Sequence, residues 1–171
     1  MAIREGKAIS NLQDDLGAAI VATINANQTP FASLGVTGST IHAEYAGQPI
    51  NYNAGATGRC LVRPLEQEVI DGTEYAESMQ INLPFALEFD LVDVMDTGNS
   101  RSAVTQALRS VFGERGAAMF ANFTDNGSNR LGKSGVLKVL EAAETDTGDP
   151  DRPRIVARVE VRGMWVKIPA A

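Results

Sequence analysis

The chain has 171 residues, 44% of them hydrophobic and 21% charged, and a chain of this size needs neither a metal nor a disulfide to hold its core. We therefore expect one domain over residues 1–171 and no cofactor. The net charge of -6 argues against a surface that grips phosphate backbones. Cys60 is the only cysteine, which excludes an intrachain disulfide and a multi-cysteine zinc site and favours a buried thiol.

The first predicted element is an amphipathic helix over about Asn11–Asn25. Ser10 and Gln13 have the spacing of a capping box, in which both side chains satisfy free amides at a helix start. Apolar residues then recur at spacings of three and four, which predicts a face that packs on a core. That face comprises Leu12, Leu16, Ala19, Ile20, Thr23 and Ile24.

Residues 27–58 are rich in Gly, Thr, Asn and Ala and show only a short alternating run near Thr40–Tyr45. So long a segment with so little periodicity predicts an extended arm or binding loop. It holds the only histidine, His42. A polar arm residue is the favoured interpretation, because no GxSxG elbow accompanies His42 as a partner for nucleophilic catalysis.

Two strands are predicted next, over Cys60–Ile70 and about Met79–Val94. Every second residue of MQINLPFALEFDL is apolar, so one face of this ribbon should lie on a core and the other should face water. Neither proline can donate a ladder hydrogen bond, so Pro64 predicts an edge strand, a bulge or a short break. Pro84 predicts a break or bulge, with the two halves of the ribbon having different neighbours. The ribbon exceeds the usual strand length, and we expect neighbouring subunits to cover strand edges.

A second helix is predicted to begin at Asn99 or Ser100 and to end before Gly113. Its apolar face comprises Ala103, Val104, Ala107, Leu108, Val111 and Phe112.

The chain closes with a predicted antiparallel hairpin of Val136–Ala143 and Arg154–Ile168, with its tip over residues 144–153. One face of the last strand is apolar, through Ile155, Ala157, Val159, Val161 and Trp165. The opposite face carries Arg158, Glu160 and Arg162, too polar for a core. The fold class predicted from all elements is α+β: two helices packed on one face of a mainly antiparallel sheet, with a long irregular arm and a C-terminal β-hairpin.

The sharpest motif is GSNRLGKS, which matches a phosphate-binding P-loop through Gly127, Gly132, Lys133 and Ser134. A true P-loop joins a buried parallel strand to a helix. The preceding MFANFTDN is too polar for such a strand, and no apolar run ending in a metal-binding aspartate follows. We favour a glycine-rich loop and keep a small nucleotide-binding protein as the alternative.

Clusters of acids offer weaker hypotheses. Glu88 and Asp90 share the polar face of the ribbon and could serve as paired carboxylates, although solubility alone would place them there. Asp146, Asp149 and Asp151 alternate with other residues at the hairpin tip but lack the spacing of a calcium loop. We expect no catalytic residue and no metal site.

The order of elements, with CLVRPLEQEVI, LPFALEFDLVDV, NSRSAVTQALRSVF and the closing VARVEVRGMWVKIP, resembles the tail terminator proteins of long-tailed, siphovirus-like bacteriophages. The resemblance covers about Ser10 to Pro169 in order and spacing. The arm over residues 27–58 is longer and richer in glycine than that pattern, and the loop from Gly127 to Ser134 has no counterpart in it. Head completion and tail tube proteins remain alternatives, because they share small α+β or β-rich designs.

The resemblance implies a non-enzymatic virion subunit assembled in the host cytoplasm. It implies a homo-oligomeric ring, of perhaps six copies, that contacts the tail tube protein and the head-tail connector at the neck. DNA would pass through its lumen without specific binding, which suits an acidic protein. The candidate contact residues are Glu88, Asp90, Arg158, Glu160, Arg162, Asp149 and Asp151.

Overall fold

The computed structural model describes residues 9–32, 41–47, 58–70, 78–91, 97–112, 124–125, 129–130, 136–145 and 154–167. The helices are α1 (Ile9–Ala26) and α2 (Thr97–Phe112), and a 3-10 turn spans Thr29–Phe31. The strands are β1 (Ile41–Tyr45), β2 (Gly58–Pro64), β3 (Glu68–Val69), β4 (Ser78–Leu91), β5 (Thr124–Asp125), β6 (Asn129–Arg130), β7 (Val136–Thr145) and β8 (Arg154–Lys167).

The main sheet has the strand order β1-β2-β4-β8-β7, and β3 pairs with β4 beside β2. Strands β1 and β2 run parallel, whereas the other pairs are antiparallel, and β5 and β6 form a separate two-stranded sheet. Helix α1 packs on β1 and β2, and α2 packs on β7 and β8. The predicted α+β class, the mainly antiparallel sheet and the C-terminal hairpin are therefore confirmed.

The core lies between the helices and the inner face of the sheet. The period of two predicted for the ribbon holds in β4, where the inward residues are fully buried: Ile81, Leu83, Phe85, Leu87 and Phe89. The predicted faces of both helices join them, with Leu16, Ile20, Ile24, Val104, Leu108 and Phe112 fully buried. Phe31 in the 3-10 turn stacks on Phe89, with 6.2 Å between ring centroids. These contacts make β4 the centre of the fold.

Strand β4 has strand neighbours on both sides, so its own edges are covered within the chain, and the cover of other strand edges by neighbouring subunits stays a prediction. Strand β8 runs along one side, while β2 and β3 share the other. The predicted break after Pro64 is where β2 ends and the chain moves to β3. Pro84 does not interrupt β4, and its carbonyl accepts a hydrogen bond from Leu65 N at 3.0 Å. The two halves of β4 have different neighbours, β2 and β3, on one side only, because β8 pairs with both halves on the other side.

Part of the predicted arm over residues 27–58 belongs to the core. Phe31 is fully buried, and β1 alternates between buried and half-buried residues like any strand on a core. The alternating run near Thr40–Tyr45 was therefore the meaningful signal, and the segment was wrongly predicted to be irregular at this point. Residues 33–40 and 48–57 lie outside the described residues.

The predicted helix starts were too late by a few residues, and the capping box is not formed as expected. Helix α1 begins at Ile9, so Ser10 lies inside it. The side-chain amide of Gln13 donates to the Leu65 carbonyl at 2.6 Å and thereby ties α1 to the link between β2 and β3. Helix α2 begins at Thr97 and ends at Phe112.

The alternation of the last strand changes within β8. Between the pairs Leu83↔Val161 and Ile81↔Met164, β4 advances by two residues and β8 by three. This β-bulge places Met164 across from Ile81 and Trp165 across from Gln80. A strict period of two over the whole strand was therefore wrong beyond the bulge.

Candidate functional site

One face of the sheet carries a band of charged side chains on the side away from the helices. We call it the charged face and define it by residues from β1, β2, β4 and β8. They are His42, Glu44, Arg59, Arg63, Glu88, Asp90, Arg158, Glu160 and Arg162. Each follows a buried residue in its strand, and successive side chains of a strand point to opposite faces.

Glu160 is the most deeply shielded acid of the charged face, with its side chain 6% exposed. Arg158 Nε lies 2.7 Å from Glu160 Oε1, and Arg162 Nε donates to Glu160 Oε2 at 2.6 Å. Both carboxylate oxygens are thus engaged by different guanidinium groups on the same strand. Arg158 also lies 3.5 Å from Glu68 Oε1, which extends the network from β8 to β3.

The register explains how these three residues of β8 come to lie together. Ala86 and Pro84 of β4 are the cross-strand partners of Arg158 and Glu160. Neither of these β4 side chains carries a charge, whereas on the other side of β8 the register partner of Glu160 is Lys138 of β7. Side chains two residues apart on one strand share a face, so both arginines can lie along the strand and flank Glu160.

A second acid–base cluster lies at the other end of the charged face. Arg59 Nη2 donates to Glu44 Oε2 at 2.8 Å, and His42 Nε2 lies 3.4 Å from Glu44 Oε1. The Glu44 side chain is 10% exposed, while that of Arg59 is 36% exposed. As in the Glu160 cluster, a shielded carboxylate lies between two basic side chains that keep partial contact with solvent.

Glu88 and Asp90 lie on the same face, as predicted, but they do not form an isolated carboxylate pair. Arg63 Nε lies 3.0 Å from Glu88 Oε1, and the Glu88 side chain is 24% exposed. Asp90 is paired in register with Arg59 on one side and Arg154 on the other. A carboxylate engaged by an arginine is better suited to structure than to proton transfer.

The nine residues that define the charged face carry equal numbers of fixed positive and negative charges, although the chain as a whole is acidic. Its fixed cations are Arg59, Arg63, Arg158 and Arg162, and its acids are Glu44, Glu88, Asp90 and Glu160, which gives four charges of each sign when His42 is left out of the count. The net charge of -6 must therefore arise elsewhere in the chain. Such a face would meet another mixed-charge surface without strong repulsion.

The predicted contact residues fall into two groups. Glu88, Asp90, Arg158, Glu160 and Arg162 lie together on the charged face, whereas Asp149 and Asp151 lie outside the described residues. His42 was assigned to the arm and is instead a member of the charged face. Alternation in IHAEY was the signal that could have placed His42 and Glu44 on one side of a strand.

The residues of the P-loop-like motif, Gly127, Gly132, Lys133 and Ser134, also lie outside the described residues. The described parts around them differ from a P-loop. Asn129 and Arg130 of the motif form β6, which pairs antiparallel with β5. The chain then enters β7, where a phosphate loop would lead into a helix.

Cys60 is fully buried beneath the charged face, as predicted. Burial raises the pKa of its thiol, and the nearby negative charge of Glu88 raises that pKa further. A thiol held neutral in an apolar environment is a poor nucleophile and a poor metal ligand.

Within the described ranges, no three His, Cys, Asp or Glu side chains gather as they would around a metal ion. Among the same residues, neither helix combines the length and apolar character that a membrane span requires.

No protein-family model matches the chain, and no curated protein matches it. Among solved structures, it is similar to a chain of one titled "Virion of native gene transfer agent (GTA) particle". That chain is 18% identical, and the alignment covers 86% of the present chain and 93% of the other, with a TM-score of 0.44. Identity and TM-score at this level leave the function to be argued from the residues themselves.

Proposed function

We propose that this protein is a non-enzymatic structural subunit of a phage tail or neck that assembles into a homo-oligomeric ring. The specific position we assign to it is that of the tail terminator, between the tail tube protein and the head-tail connector. The resemblance in the order of elements favours this position over head completion and tail tube proteins. The subunit would assemble in the host cytoplasm and reside in the virion.

The observation that carries the proposal is the charged face. Its best-shielded carboxylates, Glu44 and Glu160, are each held between two basic side chains. An enzyme site needs groups that are free to exchange protons or ligands, whereas a contact surface needs fixed charges in a fixed pattern.

The balance of charges fits contact between copies. Pairs such as Arg158–Glu160 and Arg63–Glu88 have basic members that are 41% and 50% exposed. These guanidinium groups can form an additional ion pair with a carboxylate of a neighbouring subunit while retaining their own partner. In a closed ring, each copy would present one such surface to the next.

The position within the particle is tested by adding the purified protein to tails and to DNA-filled heads that lack it. A terminator should bind the open end of the tail tube, and immunogold labelling would place it at the end distal to the tip. Labelling of heads only would favour a head completion protein, and labelling along the tube would favour a tube protein. Absence of binding to all of these would contradict the proposal.

A further inference from the structure

At Ile41 and Ala43, the outer edge of β1 is closed by side chains in the place of a strand. Alternate residues of a strand direct their backbone groups to opposite sides. At the end of β1, Ala46 N donates to Val62 O of β2 at 2.8 Å. Ile41 and Ala43 instead bond to side chains at the end of α1 and just beyond it.

The geometry imitates strand pairing. Ala43 N donates to Asn25 Oδ1 at 2.8 Å, and Asn25 Nδ2 donates to the Ala43 carbonyl at 3.0 Å. Ile41 N donates to Gln28 Oε1 at 2.7 Å, and Gln28 Nε2 donates to the Ile41 carbonyl at 2.8 Å. Each side-chain amide therefore exchanges two hydrogen bonds with one residue of β1. A residue of a neighbouring antiparallel strand makes the same exchange.

We propose that Asn25 and Gln28, called here the edge amides, hold the β1 edge closed against strand addition by a second copy of this chain. An open edge presents unpaired N–H and C=O groups that accept any extended chain. The occupant of the opened edge is a strand of a second copy, because backbone pairing requires no particular side chains and copies are the most abundant chains in a pure sample. This inference does not depend on the ring proposal.

Among the residues that the structure describes, a single layer of side chains closes this edge. Asn25 is exposed on the surface and Gln28 is half-buried, so an incoming chain can approach the amides from solvent. Beneath them β1 is already fixed in an extended form, because its inward side chains are buried and β2 holds its other side. Removal of the amides would leave a preformed template without requiring that the strand itself rearrange.

The test compares Asn25→Ala/Gln28→Ala with Asn27→Ala in the full chain. Asn27 Nδ2 donates to the Thr23 carbonyl at 2.7 Å, so the control loses a side-chain bond at the same helix end without touching β1. Such a control is needed because Gln28 also donates to the Ile24 carbonyl at 3.0 Å, so the double variant loses a helix-end bond together with its bonds to β1. Light scattering measures the weight-average mass over a range of concentrations, and thioflavin binding reports intermolecular sheet.

The double variant should show a mass that rises with concentration to about twice the wild-type value or more, with increased thioflavin binding. The Asn27→Ala protein should match the wild type. Asn25→Asp should also remain closed, because it keeps the acceptor for Ala43 N–H and adds a charge at the edge. Amide hydrogen exchange at Ile41 and Ala43 should become faster in the double variant at low concentration.

A folded double variant with the same mass and thioflavin signal as Asn27→Ala at every concentration would overturn the proposal. If the double variant does not fold, Asn25→Ala decides, because it opens only the Ala43 position and keeps the helix-end bond of Gln28. A concentration-dependent rise in its mass supports the inference, and an unchanged mass contradicts it. A wild-type protein that proves monomeric would refute the ring but would leave this comparison intact.

Discussion

The Tyr45 ring of β1 lies so close to Gly17 of α1 that a β-carbon on residue 17 would overlap the ring atoms. The Tyr45 hydroxyl donates to Asp14 Oδ1 at 3.0 Å, about one turn earlier on the same helix. Glycine within a helix costs about 1 kcal/mol relative to alanine. The close approach explains why this helix nevertheless contains one. It also fixes α1 directly against the edge strand β1.

Gly17→Ala should therefore lower the free energy of unfolding by about 1–3 kcal/mol, because the added methyl group forces the ring or the helix to move. Urea denaturation followed by circular dichroism measures the change. In a Tyr45→Ala background the same substitution should instead be neutral or stabilising, since only the helix propensity remains. Stabilisation by Gly17→Ala in the wild-type background would show that the ring does not constrain the helix.

Glu160→Gln should cost about 1–3 kcal/mol of the free energy of unfolding, because it removes the carboxylate held between Arg158 and Arg162 in a shielded position. Glu88→Gln is the matched control. It removes a more exposed carboxylate from its pair with Arg63 on the same face, and it should cost less than about 1 kcal/mol. Equal costs for the two substitutions, measured by urea denaturation, would contradict the distinction between these sites.

Stability should fall in alkaline solution because of Cys60. The folded state raises the pKa of the thiol above its ordinary value of 9.0, so above this pH the unfolded chain loses a proton that the folded chain keeps. The stabilising contribution is thus complete below about pH 9 and is lost as the pH rises, at no more than about 1.4 kcal/mol per pH unit.

Cys60→Ala should have a shallower decline in the free energy of unfolding between about pH 8 and pH 10 than the wild type. Denaturant titrations at several pH values, with a reducing agent present, measure both slopes. Tyr45 is present in both proteins, and its pKa is also raised by burial and by its bond to Asp14, so its contribution cancels in the comparison. Superimposable pH profiles would contradict a buried, neutral thiol.

Magnesium nucleotides should not stabilise the protein, because β7 follows the P-loop-like motif where a helix would be needed. Thermal unfolding with and without a magnesium nucleotide provides the measurement, and Lys133→Ala is the control. We expect the same midpoint for both proteins under both conditions. A rise with nucleotide in the wild type that disappears in Lys133→Ala would restore nucleotide binding as the function.

Elements with a clear period could be predicted from the sequence. The ribbon, both helix faces and the closing hairpin each repeat an apolar pattern long enough to distinguish a period of two from one of 3.6. The same pattern placed Glu88 and Asp90 on the polar face of the ribbon, and Arg158, Glu160 and Arg162 on the polar face of the last strand. The ion pairs Arg63–Glu88 and Arg158–Glu68 depend on how separate strands lie together, which a single sequence does not encode locally.

Features set by a single residue or by long-range contacts escaped prediction. β1 is only five residues long, so its alternation carried little weight inside a polar segment. The bulge before Trp165 adds one residue to β8. Gly163 is the one residue in it whose type could have indicated a bulge. Asn25 and Gln28 close the β1 edge through contacts between residues 13 or 18 positions apart. In the sequence they are only two polar amides near the end of a predicted helix.

The mass of the purified protein, alone and after incubation with tail tubes, tests the proposed role most directly. Native mass spectrometry should show a closed oligomer with a fixed number of copies, either free or once bound to the tube, and electron microscopy should show it as a ring at the tube end. A stable monomer under both conditions, with no association with the tube, would contradict the account.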